Sequence, residues 1–470
     1  MRSARWVALF AFVSLAATVF GQTVKEVVGF PDSMPSYGGS MTPVQGRDGR
    51  LYGTASGFSI KVAATNGAVV VISPFGGLLS LHSFVGTDGQ FPTGVTLSTD
   101  GNLYGTTNQG GSVGAGVLFK VTSSGDFSIL HDFSGGSDGW SPPAPPILAS
   151  DGNLYGVTGN GTVDDGTVYR YSPSTGTFST ILSFNTNGSQ GKQLSAQLLQ
   201  GENGHLYGTA PLGGANGCGT VFELTTSGTM VHIFSFPCGA GGYLPTGPLI
   251  QASDGNLYGT TAAGGTVSKG ECVQGCGTIF RYSHGIASVL YRFSGFPADG
   301  GTAVAGLTEG SDGNLYGGTS VGGTHDRGAL YQITLNGQYK LLYSLQGQIG
   351  ASANAALLQS TTGIFFGNAS FDGRYYEGSL YSLDMGLGPF IALVRYTGRV
   401  GQPVQILGQG LKGSTAVTIN GVAATSFKVV SNTYMTAVIP TGASTGPVVV
   451  TTPTGNLTSN HALRIVQKET

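Results

Sequence analysis

The sequence predicts an all-β protein: a seven-bladed β-propeller followed by an immunoglobulin-like β-sandwich. Three observations carry that expectation. The chain is poor in charge but rich in glycine and aromatic residues, a Leu-Tyr-Gly motif returns at nearly constant spacing, and from Pro389 onward that period gives way to a different alternating pattern.

Of 470 residues only 9 % are charged, where roughly 25 % is usual for soluble domains. Glycine numbers 81, while Tyr and Phe number 20 and 24. With no G-X-Y period to suggest collagen, this composition fits many short strands joined by tight turns. The formal charge is −2 and Lys and Arg form no cluster, so nucleic acid and anionic lipid are not expected partners.

The glycine closing each Leu-Tyr-Gly falls at Gly53, Gly105, Gly156, Gly208, Gly259 and Gly317, and a degenerate copy, TGIFFG, ends at Gly367. Seven units result, each of about fifty residues, which is the scale of a propeller blade. One copy, read from Pro248, divides into PLIQAS, NLYGTT, GTIFRYS and SVLYRF. Each segment has the length and the aromatic or β-branched content of a strand. Asp-Gly-Asn between the first two supplies residues that tolerate positive φ and close a hairpin. The stretch TVKEVVGF at Thr23–Phe30 resembles a fourth segment such as FSILHDF, and the last unit stops after its third, GSLYSLD. The N-terminal strand is therefore expected to complete the last blade and remove the open joint of the ring. The expected boundaries are a leader over 1–21, the propeller over 22–388 and the sandwich over 389–466.

The leader reads as a secretory signal peptide, with Arg2 and Arg5 before an apolar run from Val7 to Val19 and a small residue at Gly21. A retained anchor is the alternative. No later run is long and apolar enough to span a membrane as a helix, so an extracytoplasmic, secreted or cell-surface location is expected. Four cysteines suit an oxidising compartment. Cys218 and Cys238 are symmetric about Gly228 in a predicted hairpin, so they should face each other and pair. Cys272 and Cys276 are left for one another. Four-cysteine zinc spacing is lacking, and no metal or cofactor is expected.

The sequence D-G-N-L-Y-G-T-T followed by G-G and G-T-V-F, carried by Asp100–Phe119, Asp151–Tyr169, Gly201–Phe222, Asp254–Phe280 and Asp312–Tyr331, resembles the bacterial GloVer tandem repeat. That family is secreted or surface-anchored and largely of unknown function, so the resemblance implies a fold and a location, with no activity. From residue 390 to 466, GQPVQILGQGL, then VTING, then VIP and GPVVV resemble the IPT/TIG domain. That resemblance implies a spacer or interaction module, in line with a surface binding protein.

If the first segment is innermost, the Asp-Gly-Asn turns occupy one face and the longer, more variable loops the other, where function tends to sit on rigid scaffolds. Tyr37, Phe91, Trp140 and Tyr243 fall in connections between units and could stack on sugar or clasp an apolar peptide; packing between blades is the competing reading. His325, beside Asp326 and Arg327, is a candidate for acid-base chemistry or simply a solvated loop residue. Asp164, Asp165, Glu271 and Asp372 are loop carboxylates, but no spacing pairs them for hydrolysis. His82, His131 and His232, in LHSF, LHDF and VHIF, read as framework of the fourth segment. The expectation is a non-catalytic binding or adhesion protein recognising a polysaccharide or envelope protein. A polysaccharide lyase or hydrolase, and a structural surface-layer protein, are the alternatives.

Overall fold

The computed structural model describes residues 22–34, 41–59, 65–73, 76–161, 165–185, 187–267 and 272–466. The leader over 1–21 and Tyr37 lie outside them. Among the described residues there is no α-helix, only two 3-10 turns at Gly239–Gly241 and Gly347–Ile349, and nearly all pairing is antiparallel.

Seven four-stranded sheets each contain one copy of the Leu-Tyr-Gly segment or its degenerate form. Numbered I to VII, they occupy 44–83, 90–132, 147–183, 199–235, 250–292, 308–344 and 358–384. In sheet V the strands are Ile250–Gln251, Leu257–Thr261, Thr278–Ser283 and Ile286–Arg292, hydrogen-bonded in sequence order. Sheet VII is completed by Thr23–Gly29, which pairs with Ser379–Asp384 so that Thr23 faces Asp384. The Phe30 amide then donates to Gly378 O at 3.0 Å, and the Phe30 ring is fully buried.

The motif can be read residue by residue. In the Asp-Gly-Asn turn only the glycine takes positive φ, as at Gly255 (φ 80). The aspartate contributes its side chain instead: Asp254 Oδ1 accepts the Asn256 amide (3.0 Å), and Oδ2 accepts Asn256 Nδ2 and the Tyr258 hydroxyl (both 2.8 Å). The same three bonds recur at Asp100, Asp151 and Asp312. The glycine after the tyrosine faces an aromatic residue across the sheet: Gly105 opposite Phe119, Gly156 opposite Tyr169, Gly259 opposite Phe280 and Gly317 opposite Tyr331. A Cβ at Gly259 would stand 2.5 Å from Phe280 Cζ and 2.7 Å from a Leu249 methyl. The motif's glycine is thus a floor on which the ring of the third strand lies.

Hydrophobic clusters join the sheets in succession. Tyr104 and Phe133 of sheet II meet Leu154 and Tyr169 of sheet III, and Tyr207 and Phe236 of sheet IV meet Leu257 and Phe280 of sheet V. The last such cluster joins Phe366 and Leu380 of sheet VII to Leu51 and Val70 of sheet I, so the series returns on itself as a ring. Around its D-G-N side runs a set of latches. The side chain three residues before the turn aspartate position accepts a backbone amide of the preceding sheet: Ser150 N to Gln200 (2.7 Å), Glu202 N to Gln251 (2.7 Å), Ser311 N to Gln359 (2.8 Å) and Thr361 N to Gln45 (2.9 Å). Glu309 does the same for Ser253. The Gln45–Thr361 latch closes the ring between residues 316 apart in sequence.

Beyond Asp384 a second unit packs two four-stranded sheets face to face. Ala392–Leu393, Pro403–Leu407, Tyr434–Val438 and Ser426–Val429 form one; Val422–Ala423, Ala416–Ile419, Val448–Thr452 and Gly455–Thr458 form the other. Between them lie Ile406, Val417, Ile419, Met435, Val448 and Val450. The alternating burial of Ala416–Ile419 and Val448–Thr452 is the period-two pattern seen in the sequence.

Both disulfides form as expected, Cys218–Cys238 and Cys272–Cys276. A bulge between Glu223 and Leu224 shifts the hairpin register so that Thr220 faces Ser235. Cys218 therefore faces Pro237, and Cys238 reaches it from a left-handed φ of 68 with a Cα–Cα distance of 5.5 Å.

Two stability predictions follow from the glycine floor. Gly259→Ala lowers the stability of the ring by about 1–3 kcal/mol, the range for an overpacked core, read from the urea midpoint. At Tyr169, Tyr331 and Tyr381 the hydroxyl is buried with no hydrogen-bond partner among the described residues. Tyr331→Phe should therefore raise stability by about 1 kcal/mol by deleting an unsatisfied polar group. A fall in the thermal midpoint would show that the hydroxyl is satisfied.

Candidate functional site

Strands alternate in direction within each sheet, so the Asp-Gly-Asn turns and the turns between third and fourth strands share one face of the ring. The Gly-Gly loops and the connections between sheets occupy the other. The second unit sits on the first face: Thr433 Oγ1 donates to Arg47 O (2.7 Å), Phe390 N to Thr361 O (3.2 Å) and Arg395 Nη1 to Ser150 O (3.4 Å). The Arg47 guanidinium lies 4.5 Å from the centroid of the Tyr434 ring.

On the loop face, the six connections from sheet I through to sheet VII each enter through a residue held at positive φ: Phe91, Ser141, Gln193, Leu244, Thr302 and Ser352, between φ 52 and 59. Trp140 and Tyr243 each precede that residue and pair with Asn160 and Ala263, two residues beyond the second strand of their own sheets. Phe91 is itself the left-handed residue, so it stands one register position away from the other two. Its ring stacks on Phe58 with centroids 4.2 Å apart. Trp140 is 44 % exposed, whereas the Tyr243 hydroxyl donates to Gln274 O (3.1 Å). No ring contact links these three to one another among the described residues.

The loop at His325 is spread out rather than gathered. His325 Nδ1 lies 3.1 Å from Thr324 Oγ1, Asp326 Oδ1 accepts the Gly322 amide (2.9 Å), and Arg327 pairs with Asp372 of the next sheet. Asp165, almost fully buried, lies 3.4 Å from Lys192 Nζ. Asp164 and Glu271 fall outside the described residues. The carboxylates that are described are thus engaged with cations of neighbouring loops and do not converge on one another.

The histidines divide in a way the sequence pattern hid. His82 stacks on Phe127 (3.8 Å) with Nε2 2.9 Å from Asp88 Oδ2, and His131 stacks on Phe178 (3.5 Å) with Nε2 2.9 Å from Asp138 Oδ2. Tyr291 repeats the arrangement on Tyr339, with its hydroxyl 2.6 Å from Asp299. Burial works against the charge of Asp138, yet bonds from Ser134 and His131 outweigh it and hold its carboxyl below the usual range. These are framework joints. His232 is not one of them. Phe84, Phe133 and Phe236 are the equivalent residues, each donating its amide to Gly67, Gly116 or Gly219, and His232 therefore stands two positions earlier than His82 and His131. The extra Phe in VHIFSF misaligned the motif.

His232 lies instead in a cleft of about 710 Å³ between sheets IV and V, lined also by Glu202, Tyr207, Glu223, Asp254 and Tyr282. Sheet IV departs from the motif here, with Asn203 where Asp48, Asp100, Asp151, Asp254 and Asp312 stand in five other copies. Glu223 takes over its role: Oε1 accepts from Asn203 Nδ2 (3.0 Å) and the Tyr207 hydroxyl (2.8 Å) and lies 2.6 Å from His205 Nδ1. Burial opposes the charge on Glu223, but the bonds from His205, Tyr207 and Asn203 prevail and keep its carboxyl below the usual range. Burial, reinforced by the bond to Glu223, pushes the Tyr207 hydroxyl up to about 12. The wording GENGHLYG was the available signal for this site. Among the described residues, no group of three or more His, Cys, Asp or Glu side chains is placed to hold a metal ion.

Known structures resemble the protein in fold. A fungal alcohol oxidase of the AA5 family, solved in complex with copper, aligns over 95 % of this chain and 99 % of its own at 13 % identity, with a TM-score of 0.51. A putative 6-phosphogluconolactonase from Bacteroides uniformis covers 83 % of this chain and 97 % of its own (12 % identity, TM-score 0.48). An oligogalacturonate lyase from Vibrio parahaemolyticus covers 77 % and 93 % (11 % identity, TM-score 0.44). At such identities the likeness concerns a propeller-like fold alone. No curated protein matches the sequence. The Gloeobacter/Verrucomicrobia repeat profile matches residues 16–188, 123–274 and 271–414, and the chain belongs to that repeat family.

Proposed function

We propose that the protein is a seven-bladed β-propeller joined to an immunoglobulin-like, IPT/TIG-type module, and that it acts outside the cytoplasm as a non-catalytic binding or adhesion protein. It recognises a polysaccharide or an envelope protein through the loop face. The observation that carries this reading is the seating of the second unit on the D-G-N face against sheets I, III and VII. That arrangement leaves the face with the longer, more variable loops to meet a partner. On it Trp140 offers a partly exposed aromatic surface, beside the ion pairs Arg327–Asp372 and Lys192–Asp165. An aromatic ring presented on a scaffold of paired strands suits binding. Two disulfides, and no described helix long and apolar enough to cross a membrane, are compatible with an extracytoplasmic setting.

Binding of the full chain to a panel of glycans and isolated envelope components tests the reading. Saturable binding is expected, and Trp140→Ala together with Tyr243→Ala should weaken it at least tenfold with the unfolding midpoint nearly unchanged. Release of a shortened or unsaturated product from any glycan in the same panel would replace this reading with a lyase or hydrolase.

A further inference from the structure

We propose that the cleft between sheets IV and V, on the opposite side from the loop face, binds an amino sugar through its free ammonium group. The inference is independent of the loop-face reading and begins with why this joint is open. At three other joints the glycine of the turn between third and fourth strands approaches a backbone carbonyl of the preceding sheet: a Cβ there would lie 3.0 Å from Leu81 O at Gly125, 2.1 Å from Ile181 O at Gly228 and 3.2 Å from Leu290 O at Gly337. In sheet V this turn is cut to the two residues His284 and Gly285, both at positive φ (51 and 82). Gly285 stops against the His232 imidazole, with His232 Nε2 3.0 Å from Gly285 O. A side chain props this joint where a backbone carbonyl meets the turn at those three.

Apart from two imidazoles, His232 and His284, the ionic lining of the cleft is acidic. Glu202, Glu223 and Asp254 line it, and no lysine or arginine does; Arg281, on the strand beside it, acts on Asp254 from outside the lining. Glu223 Oε1 collects the bonds from Asn203, His205 and Tyr207. Oε2 has no partner among the described residues. The Glu202 carboxylate is exposed while its backbone amide is latched to Gln251. A second observation is Tyr282: it is 3 % exposed and lines the cleft, yet unlike the Tyr207 hydroxyl in the same lining its own has no hydrogen-bond partner among the described residues. A buried hydroxyl left unpaired costs on the order of 1–3 kcal/mol, and a ligand hydroxyl would satisfy it.

The complement of such a surface is a cation rich in hydrogen-bonding groups. An ammonium in the cleft can donate charge-assisted bonds to Glu223 or Glu202, both in the lining. Neighbouring ring hydroxyls can meet Tyr282, Ser283 and Asn256, all in the lining. A volume of about 710 Å³ holds sugar rings, whereas a lysine tail would bring one polar end and leave the other groups unmet.

Calorimetric titration of the full chain with a β-1,4-linked glucosamine tetramer, its fully N-acetylated counterpart and tetralysine tests the proposal. Expected are saturable binding of the glucosamine tetramer, at least tenfold weaker binding of the acetylated one, and a tenfold or greater loss with Glu223→Gln, which keeps the acceptor for Tyr207. Glu202→Gln, at an exposed position, should weaken binding several-fold with no change in unfolding midpoint. Failure of the glucosamine tetramer to bind, equal binding of both tetramers, or indifference to Glu202→Gln would each overturn it. So would tighter binding of tetralysine with the same sensitivity, which would make the cleft a basic-peptide site. Loss of loop-face binding with Trp140→Ala is a separate readout and leaves this result unaffected.

Discussion

Everything in the ring depends on one cross-strand arrangement: a glycine on the second strand and an aromatic ring laid over it from the third. The glycine has no side chain to hold the ring off, so the two strands and the neighbouring sheet approach closely, and the ring is buried on both sides. Phe119, Phe222 and Phe280 are almost fully buried in this position, as are Tyr169, Tyr331 and Tyr381. A chain with so few charges has little else to specify register. A slip of one residue would place a side chain under the ring and turn the aromatic outward, a double loss in core burial. Sheet I reaches the same end differently: Val70 faces Gly53, and the Met41 side chain fills the space above the glycine.

The joints between sheets are where the repeat has freedom to vary. The inner edge is fixed by glutamine and glutamate latches, and the outer edge by stacked pairs such as His131 on Phe178 and Tyr291 on Tyr339. A joint can change on one of those lines while the other keeps the ring closed. The contact between sheets IV and V does so on its outer side, where the hairpin is shortened and His232 intervenes, while Gln251 still holds Glu202 on the inner side. A cleft bounded by an intact latch is a rigid one.

Much of this was legible in the sequence because the repeat is strict. The four strands per unit follow from spacing, the closing N-terminal strand from its likeness to a fourth segment, and the cysteine pairs from hairpin symmetry and what it leaves over, although the bulge at Glu223 sets Cys218 one place off the symmetric partner. The latch residues were equally available: Gln45, Gln200, Gln251, Glu309 and Gln359 stand three places before the turn position in five units, but polar residues at the end of an apolar segment read as its boundary. His232 was misassigned because similarity of letters, VHIF against LHDF, outweighed position; only the bond from Phe236 to Gly219 fixes its place. The grouping of Glu223 with Glu202 and Asp254 was beyond reach, since it depends on how closely two sheets approach, a tertiary quantity with no local pattern. Likewise the sequence placed Phe91, Trp140 and Tyr243 in similar loops, but a shift of one position in a left-handed turn sends their rings to different neighbours.

The strand at Thr23–Gly29 has a consequence in time. It is the first described strand to be made, and its partner, Ser379–Asp384, is the last of the ring. Local hairpins in each sheet can form as soon as they are complete, but the closing contact spans nearly the whole ring and must wait for its far end. Until then an early segment with an unpaired edge coexists with up to six assembled sheets. An intact edge strand in that interval is a template for pairing with another chain. A product cut short before residue 379 could never retire it, so the order of synthesis makes the ring its own test of completeness.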